Sequence, residues 1–125
     1  MRVKLFLLNR LWGKISQTNF NERSQIHIPF KVIQNMIKII LYVDGSLLDG
    51  FTIWPSLNGT LLLDYTKNSK FVCTFNITED EFSMYYWDYA LEHSHIRSYK
   101  VDFGEFSLET IEQHIKDFKT KYEQL

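Results

Sequence analysis

The chain has 125 residues and a mass of 15.0 kDa, and its 45% hydrophobic and 23% charged residues are typical of one folded domain with its own core. A formal net charge of −1 and scattered Lys and Arg residues argue against a nucleic-acid-binding protein, which normally presents a basic stripe. Cys73 is the only cysteine, so no disulfide can form within the chain, and a reducing, cytoplasmic location is expected.

Residues 1–27 are predicted to form an N-terminal segment followed by a loop. Residues 1–14 include Lys and Arg but no acid, interspersed with Leu, Phe and Trp. This segment lacks the roughly 20 apolar residues of a membrane span and the cleavage site of a signal peptide, so stable membrane insertion is not expected. Two interpretations remain open: a short helix or first strand that docks on the core and ends at Gly13, or a basic helix that contacts a membrane surface.

Residues 28–45 are predicted to form an amphipathic helix. Pro29 suits the first helical turn, where the N–H that proline lacks is not needed. From Ile33 to Ile40, apolar residues recur at helical spacing. Asp44-Gly45 is expected to end the helix, because glycine favours the position just after a helix.

The clearest pattern is an antiparallel meander of about four or five strands over residues 51–103. Asn58-Gly59 predicts a hairpin with a type I′ turn, because both residue types tolerate positive φ. From Phe71 to Ile77, apolar and polar residues alternate, which is typical of a strand buried on one face. Residues 98–103 alternate in the same way, and Gly104 is expected to end that strand.

The strand that begins at Phe82 is aromatic on both faces. One face, with Phe82 and Met84, is assigned to the core. The other face, with Tyr85, Trp87 and Tyr89, is either covered by the N-terminal segment or a helix, or forms a hypothetical partner-contact surface. These residue types are enriched at protein interfaces, so the contact would be with another protein or with a second copy of the chain as a dimer.

A C-terminal amphipathic helix is predicted over residues 107–122. Ser107 is a good N-cap, and apolar residues follow it with a 3.6-residue period. With one helix before the meander and one after it, the sequence predicts a single α+β domain.

His93 and His95 form the main alternative site. Two imidazoles at this spacing on an extended segment can lie on one side of the chain, and Asp88, Glu92 and Asp102 are near in sequence. A metal site needs three or four such ligands, so this set would make a small metal-binding protein or enzyme. The opposing interpretation is a solvated loop between two strands.

No catalytic motif is present in the sequence: it contains no phosphate-binding loop, nucleophile elbow or zinc-binding HExxH helix. Cys73 shares a strand face with Phe71 and Phe75, so apolar surroundings are expected to raise the pKa of its thiol and make it inert. We therefore assign no catalytic, cofactor-binding or metal-binding residue, and we expect no cofactor and no nucleic-acid partner.

A resemblance to a known group of proteins covers roughly residues 28–118. The similarity is carried by the helix opening at Ile28-Pro29, the hairpin of residues 58–63, the strand of residues 72–76 and the strand of residues 82–85. These features resemble small bacterial proteins with a Trp…Pro…Asn-Gly-Thr-Leu hairpin, which are often encoded on mobile elements or beside toxin–antitoxin genes. Trp54-Pro55 is more closely spaced than in that pattern. The resemblance implies a non-enzymatic accessory protein, such as an antitoxin, immunity or inhibitor-like protein.

Overall fold

The structure, a computed structural model, describes residues 2–66, 71–88 and 98–122. Its helices are α1 (Arg2–Thr18), α2 (Phe30–Tyr42), α3 (Gly45–Leu48) and α4 (Leu108–Tyr122). Its strands are β1 (Phe51–Pro55), β2 (Leu61–Tyr65), β3 (Phe71–Ile77), β4 (Glu81–Asp88) and β5 (Ser98–Glu105). This order confirms the predicted α+β domain, with an antiparallel sheet between helices.

The five strands form one sheet in the order β1-β2-β3-β4-β5, and every neighbouring pair is antiparallel. The register places Leu63 opposite Phe75 and Phe75 opposite Met84, so apolar residues meet across the middle of the sheet. The pairing of β4 with β5 shifts between Met84 and Tyr85, where Met84 lies opposite Asp102 and Tyr85 opposite Lys100. A shift of this kind marks a bulge that bends an edge strand.

The core lies between one face of the sheet and the helices. Strand residues two apart share this face because side chains alternate along a strand, and Phe75 at its centre is fully buried. The ring of Phe118 in α4 packs edge-on against Tyr65 in β2, with centroids 5.2 Å apart. The helix α1 lies along the edge strand β1 and against α2. One continuous cluster therefore joins the sheet to α1, α2 and α4.

The N-terminal segment is a longer helix than the sequence pattern predicts. The segment is a helix and not a first strand. The helix does not end at Gly13, as predicted, but continues to Thr18. Leu7, Leu11 and Ile15 are buried, and their spacing of four residues keeps them on one face. Glycine costs a helix about 1 kcal/mol relative to alanine, and the burial of this stripe outweighs that cost.

The loop between α1 and α2 is closed by one side chain. The Asn19 amide donates to the backbone oxygen of Ile28 at 2.8 Å and accepts from the backbone N–H of Ile28 at 2.7 Å. The Asn19 side chain thus makes the same two hydrogen bonds that a neighbouring strand would make with Ile28. These bonds fix where α2 begins relative to the end of α1. The two helices consequently run antiparallel, and Lys4 near the start of α1 donates to the backbone oxygen of Leu41 near the end of α2.

The predicted helix over residues 28–45 is confirmed, but its predicted end at Asp44-Gly45 is wrong. The helix stops at Tyr42, and Asp44 instead caps the short helix α3, where its carboxylate accepts from the Ser46 backbone N–H at 2.9 Å. Hydrogen bonds from Ser46 hold the pKa of Asp44 below its usual value. An Asp-Gly pair serves equally well as a helix start, which explains the error.

A buried lysine joins α4 to α3. The Lys119 ammonium donates to the backbone oxygens of Ser46 at 3.1 Å and Asp49 at 2.7 Å. These carbonyls lie within and just after α3, where a helix leaves backbone acceptors without internal partners. The lysine therefore holds the end of α3 against the C-terminal helix.

The first hairpin has a different turn from the predicted type I′. Gly59 has a φ of 79°, whereas Asn58 does not have a positive φ. The Ser56 N–H donates to the oxygen of Thr60 at 2.9 Å, and the Gly59 N–H donates to the oxygen of Ser56 at 3.1 Å. This is the three-residue hairpin loop, in which a turn is followed by one left-handed glycine.

Gly59→Ala is expected to lower the free energy of unfolding by about 1–2 kcal/mol or more, because a left-handed backbone is strained for an L-residue. An added Cβ would also lie 2.9 Å from the backbone oxygen of His27. The matched control is Gly13→Ala, where nothing lies within 4 Å of the new Cβ. That change should raise stability by about 0.5–1 kcal/mol, because alanine favours the helix. Urea unfolding of both variants measures the difference, and equal effects would contradict this account of Gly59.

The C-terminal elements follow the predicted order. The predicted strand end at Gly104 is wrong: β5 continues to Glu105, and Gly104 pairs with Phe82. An edge strand tolerates a glycine because its backbone still donates to and accepts from one neighbour. The N-cap prediction is confirmed, since the Ser107 hydroxyl accepts from the Thr110 N–H at 3.3 Å at the start of α4.

Candidate functional site

The predicted contact surface on β4 lies only partly within the described residues. Tyr85 pairs with Thr74 across the sheet, and its side chain is half-buried. The backbone of Trp87 pairs with Val72. The side chain of Trp87 and the whole of Tyr89 lie outside the described residues. The three-residue contact surface therefore stays a prediction.

The alternative histidine site also falls outside the described part of the chain. His93, His95 and Glu92 lie in residues 89–97, and the side chains of Asp88 and Asp102 are likewise not described. Within residues 2–66, 71–88 and 98–122, no group of three His, Cys, Asp or Glu side chains is arranged to hold a metal ion. A metal or catalytic role for this set stays a prediction.

The prediction that Cys73 is buried is confirmed. Its side chain has no exposed surface. Burial raises the pKa of the thiol strongly, and the nearby carboxylate of Asp64 raises it further. A thiol that stays protonated is a poor nucleophile and a poor metal ligand, so Cys73 is a core residue.

Asp64 is an acidic residue on the sheet face opposite the core. It lies between Thr52 and Thr74 in the strand register, and a hydrogen bond with the Thr74 side chain partly supports its charge. Its Oδ1 atom is buried without a hydrogen-bond partner. Desolvation raises the pKa of this carboxyl, and the Thr74 hydrogen bond opposes the shift. The group lies in the sheet surface rather than in a cleft.

The most distinctive surface is an apolar groove between α1 and α2, with a volume of about 460 Å³. We call it the α1–α2 groove. Its floor is made of aliphatic side chains from both helices and from the residue before Pro29, namely Leu8, Leu11, Ile15, Ile28, Ile33 and Ile37. The antiparallel pairing of the two helices places the C-terminal part of α1 beside the N-terminal part of α2, and the groove lies between these parts.

Three large aromatic side chains stand at the rim of the α1–α2 groove. Trp12 is 68% exposed, and Phe20 and Phe30 are each 72% exposed. Trp12 and Phe20 lie together, with ring centroids 6.3 Å apart. Monomeric proteins seldom leave contiguous apolar surface of this kind in water, and where they do the surface usually binds something.

The groove exists because α2 is apolar over more of its surface than the core needs. Met36 and Ile39 face the core and are fully buried. A second row, spaced three and four residues apart, begins at Phe30 and runs to Leu41, which are both exposed. One apolar stripe of about 100° is enough to dock a helix on a core. The additional row is therefore left at the surface, beside the matching residues of α1.

Charge is unevenly distributed along the sequence. Residues 2–43 contain seven Lys or Arg and one acid, Glu22, a formal charge of +6. The rest of the chain contains seven Lys or Arg and 14 Asp or Glu, a formal charge of −7. Lys31 and Lys38 on α2 are exposed, as is Arg2 on α1. On the surface, however, Lys31 and Lys38 line a separate depression together with Glu79, Asp80 and Glu105, and no described Lys or Arg lines the α1–α2 groove.

A second depression, of about 590 Å³, lies between α1 and the edge of the sheet. One of its aromatic residues, Trp54, is contacted by cations of the same chain: the Arg10 guanidinium lies 4.3 Å and the Lys14 ammonium 4.4 Å from the ring centroid. Arg10 also donates to the backbone oxygen of Ile53 at 3.2 Å. Because these groups already contact one another, this depression is a weaker candidate than the α1–α2 groove.

Within the part of the chain that the structure describes, no helix is long and apolar enough to cross a membrane. The helix α1 has 17 residues and carries four cations, Arg2, Lys4, Arg10 and Lys14.

Sequence patterns contain a signal for the groove that the predictions did not use. Leu5, Leu8 and Trp12 recur at helical spacing in α1, and the second row of α2 does the same. What a single sequence does not reveal is that these two rows lie side by side. That depends on the Asn19–Ile28 hydrogen bonds, which act between residues nine positions apart.

Comparison with known proteins assigns no relationship to this chain: no family model, no curated protein and no solved structure matches it.

Proposed function

We propose that this protein is a non-catalytic, protein-binding accessory module and that its contact surface is the α1–α2 groove. The observation that carries the proposal is the set of exposed aromatic side chains, Trp12, Phe20 and Phe30, around an aliphatic floor. Exposed Trp and Phe beside a preformed apolar depression are the residue types and the shape that dominate binding energy at protein interfaces. The resemblance of the hairpin to toxin–antitoxin-associated proteins supports an antitoxin, immunity or inhibitor-like role in the cytoplasm.

The surface predicted on β4, with Tyr85, Trp87 and Tyr89, remains a second proposed contact region of the same module. It differs from the groove in position, because β4 lies in the interior of the sheet and the groove lies between helices. The two regions can be tested separately by variants.

A photo-crosslinking experiment tests the proposal. A benzophenone amino acid is introduced at position 30, at the groove rim, and in a control protein at Phe103, which is also exposed but lies on β5. In the cells that produce the protein, position 30 is expected to give a discrete protein adduct and position 103 is not. The adduct partner is then purified and the binary complex reconstituted, so that its affinity can be measured.

In the reconstituted complex, Trp12→Ala and Phe30→Ala are each expected to weaken binding by about 2 kcal/mol or more, as truncation of a central aromatic does. Both residues are largely exposed, so the stability of the unbound protein should change by only about 0.5 kcal/mol. No adduct at position 30, or an affinity that neither variant changes, would reject the groove as the contact surface.

A further inference from the structure

We propose that a second copy of this chain occupies the α1–α2 groove, so that the protein is a two-fold symmetric dimer through α1 and α2. This inference rests on the proposed function and names the partner of the same surface. Three observations support it: the area of exposed apolar surface, the lack of charged residues along the groove, and a shape that can fit a copy of itself.

The apolar surface extends beyond the groove along both helices. On α1, Leu5 lies seven residues before Trp12 and therefore on the same side of the helix. On α2, the row that begins at Phe30 ends at Leu41. These outer ends are close to each other, because Lys4 donates to the backbone oxygen of Leu41 at 2.9 Å. We call the groove together with Leu5 and Leu41 the α1–α2 face.

The area of the α1–α2 face matches what a dimer requires. Five of its large apolar side chains are more than half exposed, namely Leu5, Trp12, Phe20, Phe30 and Leu41. At about 150–250 Å² for a whole side chain, these five present roughly 700 Å² of apolar surface to water. The largest apolar patch on a typical monomer is about 300–600 Å². A standard interface buries about 800 Å² on each partner, a little over half of it apolar, so this face is large enough for one side of a dimer.

The cations in the middle of α1 lie on the far side of that helix. Arg10 and Lys14 are each two residues from Trp12, which places them about 160° round the helix from it. Both contact the Trp54 ring at the edge of the sheet. Arg2 lines the depression on that same side. These cations are therefore directed away from the α1–α2 face.

The lysines of α2 are also directed elsewhere. Lys31 and Lys38 line a separate depression together with three acids, Glu79, Asp80 and Glu105. No Lys, Arg, Asp or Glu among the described residues lines the groove itself. Two copies can therefore meet through the groove without placing like charges against each other, which would be unfavourable.

The face also has the shape that a two-fold interface needs. Such an interface uses the same patch on both copies, so the patch must be complementary to itself. Trp12, Phe20 and Phe30 project at the rim, whereas Ile33 and Ile37 lie in the floor and are only partly exposed. The rim of one copy can fill the depression of the other, as the side-chain ridges of packed helices fill facing grooves.

A lipid surface fits the groove less well. A flat bilayer would not fill a depression whose aliphatic floor lies below an aromatic rim. Helices that lie on membranes also present Lys and Arg to the lipid headgroups. Here Arg10 and Lys14 contact Trp54, and Lys31 and Lys38 lie beside acids of the same chain.

Sedimentation equilibrium of the purified full-length protein, with no other protein present, tests the inference. We expect a reversible monomer–dimer equilibrium with a dissociation constant in the micromolar range or below, as for other interfaces of this size. Raising the salt concentration from about 0.1 M to about 1 M should not weaken the dimer, because salt screens charge pairs and not apolar contacts.

Neighbouring residues of α1 provide matched variants. Leu5 is 58% and Phe6 55% exposed, but Phe6 lines the depression beside the sheet edge and not the α1–α2 face. Phe30→Ala is expected to raise the dimer dissociation constant at least about thirtyfold and Leu5→Ala about threefold or more, because symmetry removes each side chain from both copies. Phe6→Ala should change it by less than about twofold. Circular dichroism checks that each variant is folded.

Specific outcomes would overturn the inference. A protein that stays monomeric at its highest soluble concentration, a dimer that high salt dissociates, or equal weakening by Phe30→Ala and Phe6→Ala would each reject this dimer. Binding of the monomeric protein to vesicles of phosphatidylcholine and phosphatidylglycerol, lost in Phe30→Ala, would assign the groove to a membrane surface instead.

The photo-crosslink at position 30 separates this inference from the proposed function. An adduct with twice the mass of the chain supports the dimer. An adduct with a different protein, formed by a chain that is monomeric when purified, leaves the protein-binding function standing and rejects only the second copy as its partner. The lack of any adduct rejects both.

Discussion

Phe75→Ala is expected to lower the free energy of unfolding by about 3–5 kcal/mol, which is the usual range for removing a fully buried phenylalanine. Phe75 has no exposed surface, and it lies at the centre of the sheet between Leu63 and Met84. Its ring also packs against Phe51, with centroids 6.4 Å apart. The elements on every side are held by other contacts, so the cavity left by alanine would collapse only partly.

Phe103→Ala is the matched control for Phe75→Ala. The same chemical change is made in the same sheet, but Phe103 is 55% exposed on the edge strand β5. Its loss should lower stability by about 1 kcal/mol or less. Urea unfolding monitored by circular dichroism gives both values from one pair of curves. If the two variants were destabilised equally, the core would not be centred on the sheet face that contains Phe75.

Asn35→Ala is expected to lower the free energy of unfolding by about 1–3 kcal/mol, the second-largest effect after that of Phe75→Ala. Asn35 is a buried polar residue of α2, only 1% exposed. Its amide nitrogen donates to the backbone oxygens of Thr78 at 3.0 Å and Glu79 at 2.9 Å, in the turn between β3 and β4. Removal of the donor leaves two carbonyls that have lost their partner, which typically costs more than the hydrogen bonds contribute.

Asn35→Asp separates the hydrogen bonds from the shape of the side chain. Aspartate has nearly the same volume, but at neutral pH its carboxylate would face the oxygens of Thr78 and Glu79 and could not donate to them. Protonation would restore one donor, so the folded-state pKa of this aspartate would be raised above its unfolded value of about 3.9. The folded state would then bind the proton more tightly, and the deficit relative to the wild type should shrink as pH falls from about 7 towards 4. A deficit that is independent of pH would contradict the donor role assigned to Asn35.

The sheet was predictable from the sequence because its signals are local. Alternation from Phe71 to Ile77 and the turn at Asn58-Gly59 each depend on a few neighbouring residues, and the structure confirms the strands that they predict. The errors arise where one residue type has two uses. Gly13 can end a helix or lie within one, and Asp44-Gly45 can end one helix or begin the next. Tertiary packing decides between these uses, and a single sequence does not show that packing.

The candidate site was less predictable than the fold. Its residues come from α1 and α2, and their apolar rows form one surface only because the two helices pack antiparallel. The aromatic residues of β4 are easier to recognise, because alternation along a strand shows at once that both of its faces are aromatic. The aromatic residues at the groove rim, such as Phe20 and Phe30, are exposed, whereas a helix pattern assigns them to a loop or to the core.

The order β1-β2-β3-β4-β5 has a consequence for how the protein folds. Every strand pairs with the strand that precedes or follows it in the chain, so no ladder joins strands that are distant in chain order. A contact between residues close in sequence closes a short loop, so little chain entropy is lost when it forms. Proteins rich in such contacts fold quickly. The link from Lys119 to Ser46 spans 73 residues, so the docking of α4 is the step with the greatest loop-closure cost. We therefore expect the sheet to form hairpin by hairpin and the C-terminal helix to dock last.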